Sequence, residues 1–89
     1  MKITFRKSFT KDLRKLKDAA LLKKIKQAIE LAEAATSLSD IRNIKKLKGG
    51  DNHYRIRIGD YRIGLQLEND VLDFSRCLHR KEIYKVFPD

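Results

Sequence analysis

Residues 53–68 decide the fold, and they read HYRIRIGDYRIGLQLE. Apolar and polar residues alternate through each half of this stretch, which is the period of a β-strand with one buried face. Gly59-Asp60 separates the two halves and is typical of a two-residue hairpin turn. A second turn at Asn69-Asp70 leads into a third strand, predicted over 71–78. The second half of the chain is therefore predicted to be a meander of antiparallel strands.

The first half of the chain has a different period. Residues 2–6 alternate and predict a short strand, and a first helix is expected to begin near Ser8 or Thr10, either of which can cap it. A longer second helix is expected after Asp18, its predicted cap. Apolar residues recur there at three- and four-residue steps as far as Ala35, so the two helices are predicted to form a hairpin with one apolar side.

The order of these elements indicates an α+β fold. A short C-terminal helix is predicted over 80–86, ended by Pro88. The expected architecture is an N-terminal strand, a two-helix hairpin packed on one face of an antiparallel sheet, and this last helix. The segment 49–52 (GGDN) is the one strong break, and no repeat or linker divides the chain. Residues 1–89 are therefore predicted to form a single domain.

Composition limits the environment and the partners. The single cysteine, Cys77, cannot form an internal disulfide, which favours a reducing cytoplasm, and no stretch has the length of a signal peptide or a membrane span. Lys and Arg number 21 against 12 Asp and Glu, and the net charge of +9 favours polyanionic partners. Residues 49–89 hold five Arg and only two Lys, so the planar groups that match phosphate are concentrated there.

Because side chains alternate between the two faces of a strand, the sequence also determines which residues lie on the other face of the hairpin. If its apolar residues face the helices, the opposite face carries four polar side chains, His53, Arg55, Arg57 and Arg62. The two-residue turn puts Arg57 directly opposite Arg62, and like charges at such positions destabilise a sheet. An anion between them removes that repulsion, so the pattern predicts a phosphate-binding face. A solvated basic surface is the alternative interpretation.

The third strand leaves one residue unassigned. Pairing through Asn69-Asp70 places Arg76 on the core side, so Arg76 either lies beyond the cover of the helices or follows a β-bulge. In the same register Cys77 lies opposite Arg62, which can lower the pKa of a thiol. No partner base accompanies Cys77, so we interpret it as a packing residue. No spacing in the chain resembles that of a metal site or a phosphate-binding glycine loop.

Residues 78–84 (LHRKEIY) form a second candidate region. They bring an imidazole, a guanidinium and an aromatic ring to the end of the last strand. Tyr84 beside arginines suits stacking on an unpaired base, and the alternative interpretation is that it pins the last helix to the sheet. His53 and His79 are each either a proton acceptor or a hydrogen-bonded structural residue.

These motifs together resemble the RelE/ParE toxin superfamily. The resemblance spans most of the chain and rests on residues 8–16 (SFTKDLRKL), 46–49 (KLKG), 54–63 (YRIRIGDYRI) and 79–84 (HRKEIY). It implies the toxin of a type II toxin–antitoxin system, an endoribonuclease that cleaves messenger RNA in the ribosomal A site without a metal ion or other cofactor. The implied partners are the ribosome and its RNA, and a cognate antitoxin protein that forms a hetero-oligomer with the toxin.

The resemblance also implies a catalytic site of five residues: Arg55, Arg57, Arg62, Arg80 and Tyr84. Arg57 and Arg62 would hold the scissile phosphate and stabilise its transition state, while Arg80 would assist the leaving oxygen. Tyr84 would stack on or orient the base.

The proton acceptor is left open by the sequence. RelE carries lysines where this chain has Arg55 and Arg57, and a guanidinium is too basic to be an effective general base. Arg55, His53 and His79 are therefore all retained as candidates to take the proton of the 2′-hydroxyl.

Two other functions fit the same fold, because fold alone does not determine function. One is a ParE-like inhibitor of DNA gyrase, which acts by binding a protein and needs no convergent basic site. The other is a nuclease-inactive, RNA-binding relative. The convergence of four arginines and a tyrosine favours RNA cleavage.

Overall fold

A computed structural model describes residues 1–49 and 51–88. Its helices and strands are, in chain order, β1 (Lys2–Phe5), α1 (Lys7–Arg14), α2 (Ala19–Ala34), β2 (Ile44–Lys46), β3 (His53–Ile58), β4 (Tyr61–Glu68) and β5 (Val71–His79). The strands form one sheet in the order β1-β5-β4-β3-β2. The α+β class, the N-terminal strand and the meander after residue 53 are confirmed. None of the described helices combines the length and the apolar character that crossing a membrane requires.

The sheet is mixed, whereas an antiparallel sheet was predicted. β1 pairs with β5 in parallel, with Lys2 beside Val71 and Phe5 beside Phe74. The chain leaves β1 through the two helices and enters the meander at the far edge, so the last strand of the meander returns to β1 in the same direction. The remaining pairs, β2 with β3, β3 with β4 and β4 with β5, are antiparallel.

Two short elements differ from the prediction. β2, which has only three residues, was not predicted; a break does separate it from β3, although Gly50 lies outside the described residues. The C-terminal helix predicted over 80–86 is present only as a 3-10 turn at Ile83–Lys85. Before this turn, the backbone N–H of Arg80 donates to the carbonyl of Asp60 at 2.7 Å, and that of Lys81 donates to Nδ1 of His79 at 3.1 Å.

The two helices begin for different reasons. α1 starts after Arg6, which makes no side-chain cap bond, so the predicted caps Ser8 and Thr10 lie inside the helix. The Ser8 hydroxyl instead donates to the carbonyl of Ser75 at 2.6 Å. Asp18 caps α2 as predicted, since its carboxylate accepts a hydrogen bond from the backbone N–H of Leu21 at 3.1 Å.

The main core lies between the helices and one face of the sheet. Its largest fully buried members are Phe9 and Ile25 from the helices and Ile56, Ile63, Leu65, Leu72 and Phe74 from the strands. The rings of Phe9 and Phe74 meet edge to face with centroids 5.4 Å apart. Because the apolar residues of β3 and β4 are buried here, the predicted orientation of the hairpin is confirmed, and its arginines occupy the other face.

A β-bulge in β5 accounts for Arg76. Leu65 pairs with Phe74, but Gly64 pairs with Arg76, so Ser75 is an extra residue on β5. The extra residue shifts the alternation by one position and removes Arg76 from the core side, as the bulge interpretation predicted. Cys77 consequently pairs with Ile63, and the predicted pairing of Cys77 with Arg62 is wrong.

Asp12 ties α1 to β5 beyond the end of β1. Its buried carboxylate accepts hydrogen bonds from Nε and Nη2 of Arg76 at 2.8 and 3.1 Å, and from the backbone N–H of Cys77 at 2.9 Å. The last contact satisfies a backbone donor on the edge of β5 that no strand covers. The helix thereby replaces the missing strand at this edge.

We predict that Asp12→Ala lowers the free energy of unfolding by about 3 kcal/mol, because it removes the shared acceptor of three hydrogen bonds at a buried position. Asp18→Ala, which removes only an exposed helix cap, should cost about 1 kcal/mol. Urea unfolding followed by circular dichroism measures both values. Equal losses for the two variants would contradict the role given to Asp12.

Candidate functional site

Three arginines flank the β3–β4 turn, and they are called the turn arginines below: Arg57, Arg62 and Arg80. Arg57 and Arg62 are direct cross-strand partners, as predicted, and their side chains share the face of the sheet that points away from the helices. The turn between them has Gly59 at φ 57°, a conformation that glycine adopts without strain.

Backbone carbonyls orient the guanidinium groups of this face. Nη1 of Arg62 donates to the carbonyls of Gly59 and Tyr61 at 2.8 and 2.9 Å, and Nη1 of Arg55 donates to the carbonyl of Asn43 at 2.7 Å. A guanidinium has five N–H donors, and within residues 1–49 and 51–88 the described bonds of both groups leave from Nη1. Each group is therefore held in place while donors remain to bind a phosphate.

Arg80 joins the same turn from the end of β5. Its backbone N–H donates to the carbonyl of Asp60, and its Nε lies 3.8 Å from Oδ1 of Asp60. Both side chains are exposed, so this ion pair contributes little to stability. The guanidinium of Arg80 can therefore exchange the carboxylate for an anionic ligand at low cost.

Tyr84 and Arg55 line a cavity of about 280 Å³ beside β2, called the Tyr84 groove below. Its walls are Lys45, Lys46, Leu47, Lys48, Arg55 and Tyr84. Lys45 is the cross-strand partner of Arg55, and 53% of Tyr84 is exposed. The structure thus brings two of the predicted site residues together with three lysines. In the described part of the chain, no carboxylate lines this groove.

Sequence reasoning missed the lysines of the Tyr84 groove because it missed β2. Residues 44–46 are too few to show an alternating pattern, and their strand geometry depends on pairing with β3. The signal that was available is the segment 46–49 (KLKG), which supported the family resemblance without being assigned to the site.

The two histidines are placed differently from the arginines. His79 is the cross-strand partner of Tyr61, which packs against the main core, so His79 lies on the helix side of the sheet. Its Nδ1 accepts a hydrogen bond from Lys81, a structural contact. His53 does lie on the face of the sheet that carries Arg55, Arg57 and Arg62, called the arginine face below. Its ring meets that of Phe87 edge to face at 5.4 Å, and its buried Nδ1 has no hydrogen-bond partner among the described residues.

Cys77 takes no part in this site. Burial, followed by the charge of Asp12, raises the pKa of the Cys77 thiol to about 12. The expectation that a neighbouring arginine lowers this pKa is wrong, whereas the interpretation of Cys77 as a packing residue is confirmed. Over the described ranges, no group of three or more His, Cys, Asp or Glu side chains is placed to hold a metal ion.

The chain matches a known protein family and a known protein of similar length. Residues 3–84 match the family described as "ParE toxin of type II toxin-antitoxin system, parDE". The chain is 47% identical over 89 residues to Toxin RelE3 of Methanocaldococcus jannaschii, and the match covers 99% of this chain and all of that protein.

Two solved structures have the same fold. One is the RelB–RelE antitoxin–toxin complex of Methanococcus jannaschii, with a TM-score of 0.82 and 45% identity, covering 96% of this chain and 99% of the matched chain. The other is the archaeal RelE–RelB complex of Pyrococcus horikoshii, with a TM-score of 0.72 and 21% identity, covering 91% and 96%. The second likeness, at this identity, concerns the fold alone.

Proposed function

Because the chain belongs to the ParE toxin family of type II toxin–antitoxin systems, we propose that it is a cytoplasmic toxin that cleaves messenger RNA in the ribosomal A site without a metal ion. The observation that carries this proposal is the cross-strand pair of Arg57 and Arg62 beside the Tyr84 groove. The pair supplies positive charge where a phosphodiester can lie, and the groove supplies an exposed aromatic ring for a base.

The proposed reaction is an internal transfer at phosphorus. A nucleotide's 2′-hydroxyl loses its proton and its oxygen attacks the adjacent phosphorus, while the bond from phosphorus to the 5′-oxygen breaks. The leaving 5′-oxygen takes up a proton from water. The products are a 2′,3′-cyclic phosphate and a 5′-hydroxyl end, and no oxidant or external nucleophile is required.

The turn arginines are assigned to the phosphate. Negative charge builds on its oxygens as the attacking bond forms, and donors already oriented toward those oxygens stabilise the transition state without reorganisation. Arg57 and Arg62 are suited to hold the two non-bridging oxygens from adjacent strands. Arg80 is assigned to the leaving oxygen because its only described side-chain contact, the exposed pair with Asp60, is readily exchanged.

The Tyr84 groove is assigned to the nucleotide next to the scissile phosphate. An exposed tyrosine ring can stack on any unpaired base, and such stacking is tolerant of sequence. Arg55, Lys45 and Lys48 carry charge that matches the flanking phosphate. The groove would therefore set the position of the RNA along the sheet.

We assign acceptance of the 2′-hydroxyl proton to Lys45. A guanidinium does not release its proton at physiological pH, which removes Arg55, and His79 lies on the helix side of the sheet. His53 packs beneath Phe87 with a buried Nδ1. Lys45 shares the face of Arg55 and lines the same groove. A lysine ammonium loses its proton at a lower pH than a guanidinium does, and the neutral amine is the form that would accept the proton.

A cognate antitoxin is the proposed protein partner, in keeping with the antitoxin–toxin complex of Methanococcus jannaschii. A net charge of +9 favours an acidic partner through electrostatic complementarity. Phe5 and Leu31 are each 49% exposed and offer apolar contacts to such a chain. We expect the antitoxin to neutralise the toxin within a hetero-oligomer.

We predict that Arg62→Ala reduces cleavage of a translated message by about 100-fold, the usual effect of removing one transition-state donor. Primer extension on ribosomes programmed with a defined message measures the cuts. Arg14→Ala, which removes an exposed arginine from α1, is the matched control and should cleave as the parent does.

The outcome that contradicts RNA cleavage is an intact message while the protein still arrests growth. Inhibition of gyrase supercoiling by the same preparation would then support the ParE-like function. RNA binding without cleavage or growth arrest would instead indicate the nuclease-inactive relative.

We further predict that Lys45→Arg lowers kcat by about 100-fold or more with little change in KM, because the charge remains while proton transfer is lost. Lys46→Arg is the neighbouring control, since Lys46 pairs with Tyr54 and not with Arg55. Single-turnover cleavage measures both. An unchanged kcat for Lys45→Arg would exclude Lys45 as the proton acceptor.

A further inference from the structure

We propose that Phe87 is a positioning residue for the RNA site, acting by clamping the C-terminal segment onto Gly64 so that Tyr84 is held over the groove. This inference rests on the proposed function for its catalytic readout. It concerns a residue that sequence reasoning did not single out and that lies too deep to touch RNA, since only 3% of Phe87 is exposed.

The contact between Phe87 and Gly64 is made by the backbone of β4 itself. A Cβ atom built on Gly64 would lie 2.7 to 2.8 Å from three ring atoms of Phe87. Real side chains do not approach so closely, so the ring occupies the space that any other residue would fill. Glycine inside a strand often marks such a close approach, and Gly64 is in the middle of β4.

Phe87 and Ile83 form an apolar anchor outside the main core. Both are buried, yet neither belongs to the cluster between the helices and the sheet. Gly64 belongs to the arginine face, because it pairs with Arg55 on β3 and with Arg76 on β5. The C-terminal segment therefore crosses the face that the sequence pattern left open, and the rings of His53 and Phe87 meet edge to face with centroids 5.4 Å apart.

The anchor determines where Tyr84 lies. Ile83 is fully buried, and its carbonyl accepts hydrogen bonds from the N–H groups of Val86 at 3.1 Å and Phe87 at 2.8 Å. Tyr84 follows Ile83 within this closed turn, so its backbone is fixed on both sides by buried residues. Its own ring remains half exposed beside Arg55.

The Phe87 ring also lies next to the position of Arg55, which lines the Tyr84 groove. Gly64, on which Phe87 lies, is the direct cross-strand partner of Arg55. Loss of the clamp would free the turn that carries Tyr84 from its place beside Arg55. A displacement of order 1 Å in a positioning group is enough to reduce a reaction rate by about 100-fold.

A double-mutant cycle tests whether Phe87 acts through Tyr84. We expect Tyr84→Ala and Phe87→Ala each to lower kcat/KM for ribosome-bound message by about 10- to 100-fold. The double variant should lie within about twofold of Tyr84→Ala, because a clamp has no effect once its tyrosine is gone. Phe87→Leu should recover part of the loss, and Val86→Ala, an exposed neighbour, should have no effect.

Gly64→Ala tests the clamp from the opposite side. In the parent it should lower the melting temperature and kcat/KM together, because the added methyl group displaces the Phe87 ring. In the Phe87→Ala background the same substitution should cost little, since the space is then empty. Additive effects in either cycle, or full activity of folded Phe87→Ala, would overturn the proposal.

Failure of the proposed function would look different from failure of the clamp. If the parent protein cleaves no message, the proposed function fails, and the NMR signals of the Tyr84 ring still test the clamp. Those signals should shift in Phe87→Ala and Gly64→Ala but not in Val86→Ala. Unchanged signals in the first two variants would overturn the clamp whatever the activity.

Discussion

The register of β3 against β4 is the constraint on which the rest of the molecule depends. Gly59 and Asp60 form a two-residue turn, and this turn places Ile58 opposite Tyr61 and Arg57 opposite Arg62. Because side chains alternate between faces, a slip of one residue would bury the arginines and expose the apolar side chains. The same register therefore builds the core on one face and concentrates positive charge on the other. A basic pair that is unfavourable within the sheet becomes useful when a phosphate lies against it.

Two contacts at opposite sides of the sheet give this hairpin a rigid frame. On the helix side, Asp12 ties α1 to the edge of β5 after the bulge, so this edge of the strand that leads to Arg80 is held although β1 does not reach it. On the arginine face, Phe87 lies on the backbone of Gly64 and fixes the turn that contains Tyr84. The site residues are therefore carried by strands and anchored turns, which position side chains more accurately than free loops do.

Most of the fold and part of the site could be predicted from the sequence because they depend on local patterns. Alternation and turn chemistry located β3, β4 and the pairing of Arg57 with Arg62. Other features depend on contacts between distant residues: β2 forms because β3 is present to pair with it. In the sequence, Asp12 has the features of a solvent-facing residue of an amphipathic helix. Its burial depends on the bulge in β5, which places Arg76 beside it. The docking of Phe87 had one visible signal, a glycine in the middle of a strand, which does not reveal what approaches it.

We propose that RNA phosphate binds on the arginine face of the β3–β4 hairpin. The most direct measurement is NMR titration of the arginine side-chain Nε–H signals with an RNA that carries a 2′-deoxy nucleotide at the attacking position, so that it binds without being cleaved. We predict that the signals of Arg57, Arg62 and Arg80 shift together and saturate at one RNA per protein, while the signal of Arg14 on α1 stays unchanged. Shifts confined to Arg14 and the lysines of the helices, with the turn arginines unaffected, would contradict it.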